Sequence, residues 1–319
     1  MKTTLQSLQE SISQTIKMID QNQLISDELL QQRSVKYSTN MLDFTNATSL
    51  LDKCEQVTTS HKTPKPVIRI IHHFACSGGT LVSKCLSSLP NVFLLSEVHP
   101  LSKNHASGKP KYLPSDITTL ARYAKIPDIE ELAKKLFLSN IIETESFVRE
   151  RGGMLVLREH THIDFCLGDK VSPESIVDIY LSNHFDLKHL VTVRNPIDAY
   201  MSLVINGWVQ FSPPTFDEYC KRLIEFIKRY PPQNIVRYED IVKQPDKNLQ
   251  KICKLLDLPY DDRYSDIFDI FTVTGDSGRK GDSIAFRDRR PIDKQLLSDI
   301  KGSKNFKIIS KILKYEKDL

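Results

Sequence analysis

The apolar positions of this chain change period repeatedly, and each change predicts an element. Leu5, Leu8, Ile12, Ile16 and Ile19 recur at three- and four-residue spacing, one face of a helix, among Gln and Ser. Thr59 to Pro66 carries two prolines and two lysines and reads as a linker. Val67, Ile68, Ile70 and Ile71 then form a β-branched run suited to a buried strand. Ser77-Gly78-Gly79-Thr80 breaks it, and Leu81, Val82, Cys85, Leu86 and Leu89 follow at helical spacing. Val92 to Leu95, Met154 to Leu157, His189 to Val193 and Asn234 to Tyr238 predict four further short strands. Between them lie helical stretches over about Ser115 to Glu150, from Ser172-Pro173-Glu174, from Pro196 to about Asn206 and from Thr215 to Tyr230. Another helix begins near Gln244, and Ile292 to Leu319 is mostly helical but weakened at Gly302. Leu101 to Pro114 is looser, and Thr272 to Pro291 is long, glycine-containing and basic.

Strands alternating with helices imply parallel pairing with both sheet faces covered. The expected fold is a three-layer α/β/α domain around a central parallel sheet of about five strands. It occupies 63–319, behind a helical N-terminal extension and linker over 1–62. Ligands of such sheets sit outside the carboxyl ends of the strands. That puts Cys76–Thr80, Glu97, His160, His162, Arg194 and Tyr238 on one rim.

Composition narrows the class. The 319 residues are 40% hydrophobic and 26% charged, enough for a sizeable core, and the formal net charge of +4 does not indicate a nucleic-acid binder. The six cysteines, Cys54, Cys76, Cys85, Cys166, Cys220 and Cys253, form no C-x-x-C, as expected of reduced thiols in a cytoplasmic protein. The N-terminus has no apolar signal-like region, and no run reaches the roughly 18 apolar residues of a membrane span. A dimerising coiled coil in the N-terminal helix is less favoured than packing on the main domain, so a homodimer stays open.

Strand, glycine turn and helix start make an anion site: glycine lets the backbone approach, and the first N–H groups are unpaired. The turn is not G-x-x-x-x-G-K-[ST], which argues against a triphosphate-using kinase. Arg194, ending the fourth strand, suits bidentate contact with a phosphate, and Ser202 in the next helix adds a hydroxyl. The competing reading pairs Arg194 with Asp198.

With these residues in hand the chain resembles the sulfotransferases that use 3′-phosphoadenosine 5′-phosphosulfate (PAPS), in their bacterial-type, P-loop-like form. Ser77-Gly78-Gly79-Thr80 is similar to the family's loop for the 5′-phosphosulfate. Arg194-Asn195-Pro196-Ile197-Asp198 through Ser202 matches its motif for the 3′-phosphate. Tyr238-Glu239-Asp240 is similar to the Y-E-D segment, whose Tyr lies near the adenine, and Arg279-Lys280-Gly281 to the R-K-G that closes over the 3′-phosphate. The resemblance implies transfer of a sulfuryl group to a hydroxyl or amine of an unidentified small molecule or glycan, with PAPS as co-substrate and no metal. Cys76 stands where the family usually has Lys or Arg, and Leu81 where many members carry an aromatic residue. Arg158, Lys84 or His160 could supply the missing charge. A non-catalytic nucleotide-binding protein of the same fold is the alternative.

Two bases compete. Glu97, in S-E-V-H-P, resembles the E-V-H of heparan-type members, with His99 close by, and burial is expected to raise its pKa. His160-Thr161-His162 resembles the K-T-H of cytosolic members, with His162 as base. His72, His73, His105 and His184 read as structural or exposed, and Trp208 as core. The run Arg287-Asp288-Arg289-Arg290 reads as a solvated loop, or as a lid or a site for an acidic acceptor.

Overall fold

The computed structural model describes residues 64–102, 113–275, 284–286 and 288–315, together with Ser13. The chain divides into two compact units, Met1–Thr63 and Pro64–Leu319. The helix of 1–62, Cys54, His105, Arg279-Lys280-Gly281 and Arg287 lie outside the described residues.

Seven strands are assigned among the described residues: β1 (Val67–His73), β2 (Val92–Val98), β3 (Met154–Glu159), β4 (Leu167–Gly168), β5 (Asp186–Val193), β6 (Gln210–Phe211) and β7 (Ile235–Arg237). The helices are α1 (Gly79–Ser87), α2 (Ile117–Tyr123), α3 (Ile129–Arg149), α4 (His162–Phe165), α5 (Ile176–Leu181) and α6 (Pro196–Ile205). They continue as α7 (Phe216–Ile227), α8 (Tyr238–Lys243), α9 (Pro245–Leu256), α10 (Tyr264–Ile267), α11 (Lys294–Gly302) and α12 (Lys304–Leu313). The main sheet has five strands in the order β2-β3-β1-β5-β7, and every pairing is parallel. β4 and β6 form a separate parallel pair. This is the expected three-layer α/β/α architecture.

The alternation of β1 sorts the two faces. Ile71 turns to a cluster with Val82, Cys85 and Leu86 of α1 and Leu249, Ile252 and Cys253 of α9. Ile68 and Ile70 turn the other way, to Ile141 of α3 and Val177 and Leu181 of α5. On that second face Phe74, Val191 and Val193 pack with α6, α7 and α12, where Leu203, Tyr219, Phe226 and Phe306 are nearly inaccessible. The connections leaving the adjacent strands β1 and β3 run in opposite directions, β1 to β2 and β3 to β5, and a crevice opens at the carboxyl end of β1. No helix among the described residues is long and apolar enough to cross a membrane.

Three expectations shift. The helix expected at Ser172-Pro173-Glu174 starts later: Ser175 is its N-cap, accepting from Asp178 N at 3.1 Å. The Pro173 carbonyl is taken by Arg229 Nε at 2.9 Å, and the Ser175 hydroxyl donates to buried Glu159 at 2.5 Å. The fifth strand ends at Arg237, so Tyr238 opens α8 instead of closing a strand. Glu97, expected just beyond β2, lies within it at an irregularity between Ser96 and Val98, with φ 61°. A non-glycine residue held there is strained, and bulges of this kind re-aim a side chain.

Arg222 is among the largest wholly buried side chains of the described residues. Its Nε donates to Glu218 at 2.9 Å, and its Nη atoms to the carbonyls of Leu167 at 3.2 Å and Gly168 at 2.7 Å, tying α7 to β4. Arg222→Met should remove the donor from buried Glu218 Oε1 and one donor each from the Leu167 and Gly168 carbonyls, leaving the carboxylate with Lys221 alone at 3.2 Å. The expected loss, read by urea unfolding, is about 3–5 kcal/mol.

Candidate functional site

The Ser77–Thr80 turn leads from β1 into α1. Cys76 (φ 64°) and Gly78 (φ 89°) both adopt left-handed backbone, and Gly78 is the N-cap of α1 with no side-chain hydrogen bond. The nine-residue helix has no acidic residue in its first turn, so its leading N–H groups face the crevice uncompensated. Both glycines are required. A Cβ on Gly78 would lie 2.3 Å from the Tyr238 ring, and one on Gly79 would lie 2.8 Å from the His73 ring and 3.0 Å from Arg158 Nε. Ser77 is buried, and its hydroxyl meets that of Thr192 on β5 at 3.1 Å, fixing the turn across the sheet.

Arg194 follows β5. Asn195 caps α6, accepting from Ile197 N at 3.0 Å, with Pro196 at the first helical position. Asp198 does not pair with Arg194. It accepts two bonds from Arg289, at 3.1 and 3.3 Å. The Arg194 guanidinium instead lies over the Tyr238 ring, 5.0 Å from its centroid. Glu239 accepts from Asn195 N at 2.9 Å and from the Tyr315 hydroxyl at 2.6 Å, binding two of the sequence motifs to each other and to the end of α12.

Glu97 is the hub of a charged cluster. Arg158 Nη2 reaches its Oε1 at 2.7 Å, His73 Nε2 approaches the same oxygen at 3.4 Å, and His160 Nδ1 bonds Oε2 closely. Arg158 is itself held by Ser96 Oγ at 3.2 Å and the Thr274 carbonyl at 3.3 Å. The expected rise in the Glu97 pKa is not found. Burial pushes it up, but His73, His160 and Arg158 together hold the carboxyl well below the usual carboxylate range. His162 bonds Gln210 Oε1 through Nε2 at 3.2 Å, and burial lowers its pKa from 6.5 to about 4, so it is neutral near pH 7.

A cavity of about 470 Å³ joins these parts. Cys76, Ser77, Gly78, Gly79, Thr80, Glu97, His162, Arg194, Ser202 and Tyr238 all line it, with Lys84, Arg158 and His160. Its volume falls within the range of small-molecule sites. His99 is not among the lining residues. Its Nε2 meets Asp164 at 3.2 Å and its Nδ1 accepts from Leu101 N at 3.1 Å, a buried brace for the turn after β2. His73, read as structural from the sequence, does line the cavity, and so does Trp208, read as core but 40% exposed. Strand parity offered a signal for His73: Ile71 and His73 share the face that carries α1.

The sulfotransferase family model matches residues 70–262, well over half of the chain. No curated protein matches it. Among solved structures, the sulfotransferase domain of the Synechococcus PCC 7002 olefin synthase is 14% identical with a TM-score of 0.48, covering 80% of this chain and 97% of its own. The mouse sulfotransferase SULT7A1, complexed with PAP, is 12% identical with a TM-score of 0.36, covering 80% of this chain and 92% of its own. The family match alone, across β1 to α9 and every described wall of the cavity from Cys76 to Tyr238, establishes that the chain belongs to the sulfotransferase family.

Proposed function

We propose that this sulfotransferase takes its sulfuryl group from PAPS and passes it to a hydroxyl or amine of a small molecule or glycan. The observation that carries the reading is one shared cavity: the α1 turn, Arg194, Ser202 and Tyr238 line it together with Glu97, Arg158 and His160. In this reading the Ser77–Thr80 amides hold the 5′-phosphosulfate, and Arg194 and Ser202 hold the 3′-phosphate. The adenine lies toward Tyr238 and the apolar end made by Leu81, Phe268 and Ile284. Gly275 and Ile284, which flank Arg279-Lys280-Gly281 in sequence, both line the cavity, in keeping with a role for that segment at the nucleotide.

Transfer is in line. The acceptor oxygen or nitrogen forms a bond to sulfur as the bond from sulfur to the bridging 5′-phosphate oxygen breaks. The electron pair leaves on 3′-phosphoadenosine 5′-phosphate, and the acceptor proton goes to the Glu97–His160 pair. Glu97 orients the imidazole through Nδ1 and stabilises the imidazolium that forms, a division of labour known from carboxylate–histidine pairs. Arg158, lying against Gly79, supplies the positive charge that Cys76 cannot. A second reading gives the proton to His162, favoured by its neutral state near pH 7 and its position on the cavity wall.

The deciding experiment combines sulfate transfer from labelled PAPS over a panel of phenols, glycans and amines with calorimetry of 3′-phosphoadenosine 5′-phosphate. Nucleotide binding with transfer supports the reading. An absence of nucleotide binding removes it. Full turnover in His160→Gln, with loss in His162→Gln, moves the base to His162.

A further inference from the structure

Behind the cavity, on the opposite face of β1, a second cluster of chemistry-bearing side chains has no part in the proposed transfer. His72 follows Ile71 and precedes His73, so strand parity turns it away from the cavity toward α5 and the end of α7. Its Nε2 lies 2.9 Å from Nδ1 of His189 on β5, and 3.7 Å from Oδ1 of Asp178 on α5. His189 Nδ1 lies 3.8 Å from the same Asp178 oxygen. These three atoms are mutually within 4.8 Å. Ligand atoms around a tetrahedral zinc, at about 2.0–2.1 Å from the metal, stand about 3.3 Å apart. The observed separations bracket that value.

The surroundings match what a ligating imidazole needs. His72 Nδ1 bonds Glu159 Oε2 at 2.5 Å, and Ser175 Oγ donates to the other oxygen of that carboxylate at 2.5 Å. A carboxylate on the far nitrogen fixes the tautomer that points a lone pair at a metal, and it raises the ligand's basicity. Asp178 Oδ1 is buried without a hydrogen-bond partner, and so is the hydroxyl of Tyr230, whose ring packs 4.6 Å from that of His72. An orphan carboxylate oxygen facing two imidazoles is costly unless something cationic sits between them. The side chains of His189 and Asp178 are each 24% exposed, so the cluster lies within reach of solvent.

We propose that His72, His189 and Asp178 bind a divalent transition-metal ion, Zn²⁺ first, as a structural clamp between β1, β5 and α5. Two imidazoles and one carboxylate suit zinc and disfavour Mg²⁺ and Ca²⁺, which take all-oxygen shells. Binding displaces the single hydrogen on the line between the two imidazoles: a proton carried by His72 Nε2 passes to solvent, and one carried by His189 Nδ1 is replaced by a proton on His189 Nε2, so both rings ligate as neutral imidazoles. The ion lies on the far side of the sheet from the reacting groups and takes no part in sulfuryl transfer.

The test uses the full chain without an affinity tag, stripped with chelator and then titrated with Zn²⁺ against a chromophoric competitor. Metal content after desalting is counted by elemental analysis. One equivalent retained per chain is expected, with a rise in Tm. His189→Gln and Asp178→Ala, both at partly exposed positions, should each lower affinity by more than about 100-fold, and Glu159→Gln by roughly 10–100-fold. His162→Gln, which alters the histidine cluster of the cavity, should retain the equivalent. Co²⁺ should give the visible absorption of a four-coordinate site. No retained metal overturns the proposal, and so does retention unchanged in folded His189→Gln and Asp178→Ala proteins. Loss in His162→Gln alone would put the ion in the cavity and overturn it equally.

Discussion

Glu97→Gln is expected to lower turnover by about 10²–10⁴-fold while the affinity for 3′-phosphoadenosine 5′-phosphate changes little. Arg158 and His73 converge on one Glu97 oxygen and His160 on the other. Glutamine keeps the shape but removes the charge, and its amide turns donors toward groups that are already donors. The His160 imidazole then loses the anion that sets its tautomer and stabilises its protonated form. Single-turnover transfer from labelled PAPS reads the chemical step, and calorimetry with the desulfo nucleotide reads binding. Wild-type turnover in Glu97→Gln would take the carboxylate out of the reaction. A matching loss of nucleotide affinity would make Glu97 a part of the donor site instead.

Arg194→Ala should weaken 3′-phosphoadenosine 5′-phosphate by roughly ten- to a hundredfold or more, since each charge-assisted bond to phosphate contributes on the order of 1.5–3 kcal/mol. The same variant should bind adenosine 5′-phosphate nearly as wild type does. The asymmetry is the content of the expectation, because Arg194 is assigned to the phosphate that the second nucleotide lacks. Asp198 is engaged by Arg289, so the guanidinium of Arg194 is not neutralised by the carboxylate four residues on. Paired titrations of the two nucleotides into both proteins measure the effect. Equal losses for the two would contradict the assignment.

Much of the architecture was legible because the alternation is strong. The β-branched runs of β1 and β5 and the three- to four-residue spacing of α1 and α9 each reflect a single dominant requirement, burial of one face or both. That the glycine turn and Arg194 would meet at one cavity was legible for a similar reason: glycines at a strand-to-helix turn and an Arg closing an apolar strand combine close backbone approach with positive charge at the carboxyl end of the sheet. What failed depends on register. Glu97 was expected to be raised by burial, but the sequence does not reveal that β3 pairs alongside β2 and carries Arg158 and His160 to its carboxylate. His73 and Trp208 reach the cavity through strand parity and the turn after α6, which composition does not encode. Ser175 displaced Ser172-Pro173-Glu174 as the helix start because its hydroxyl is claimed by Glu159, some distance away in sequence.

Glu239 spans the Asn195 amide and the Tyr315 hydroxyl. The segment that follows α12 is thereby wired to the backbone that aims Arg194. Trimming the chain back past Tyr315, or straining it with a reporter fused close by, is therefore expected to disturb the setting of Arg194 from outside the cavity.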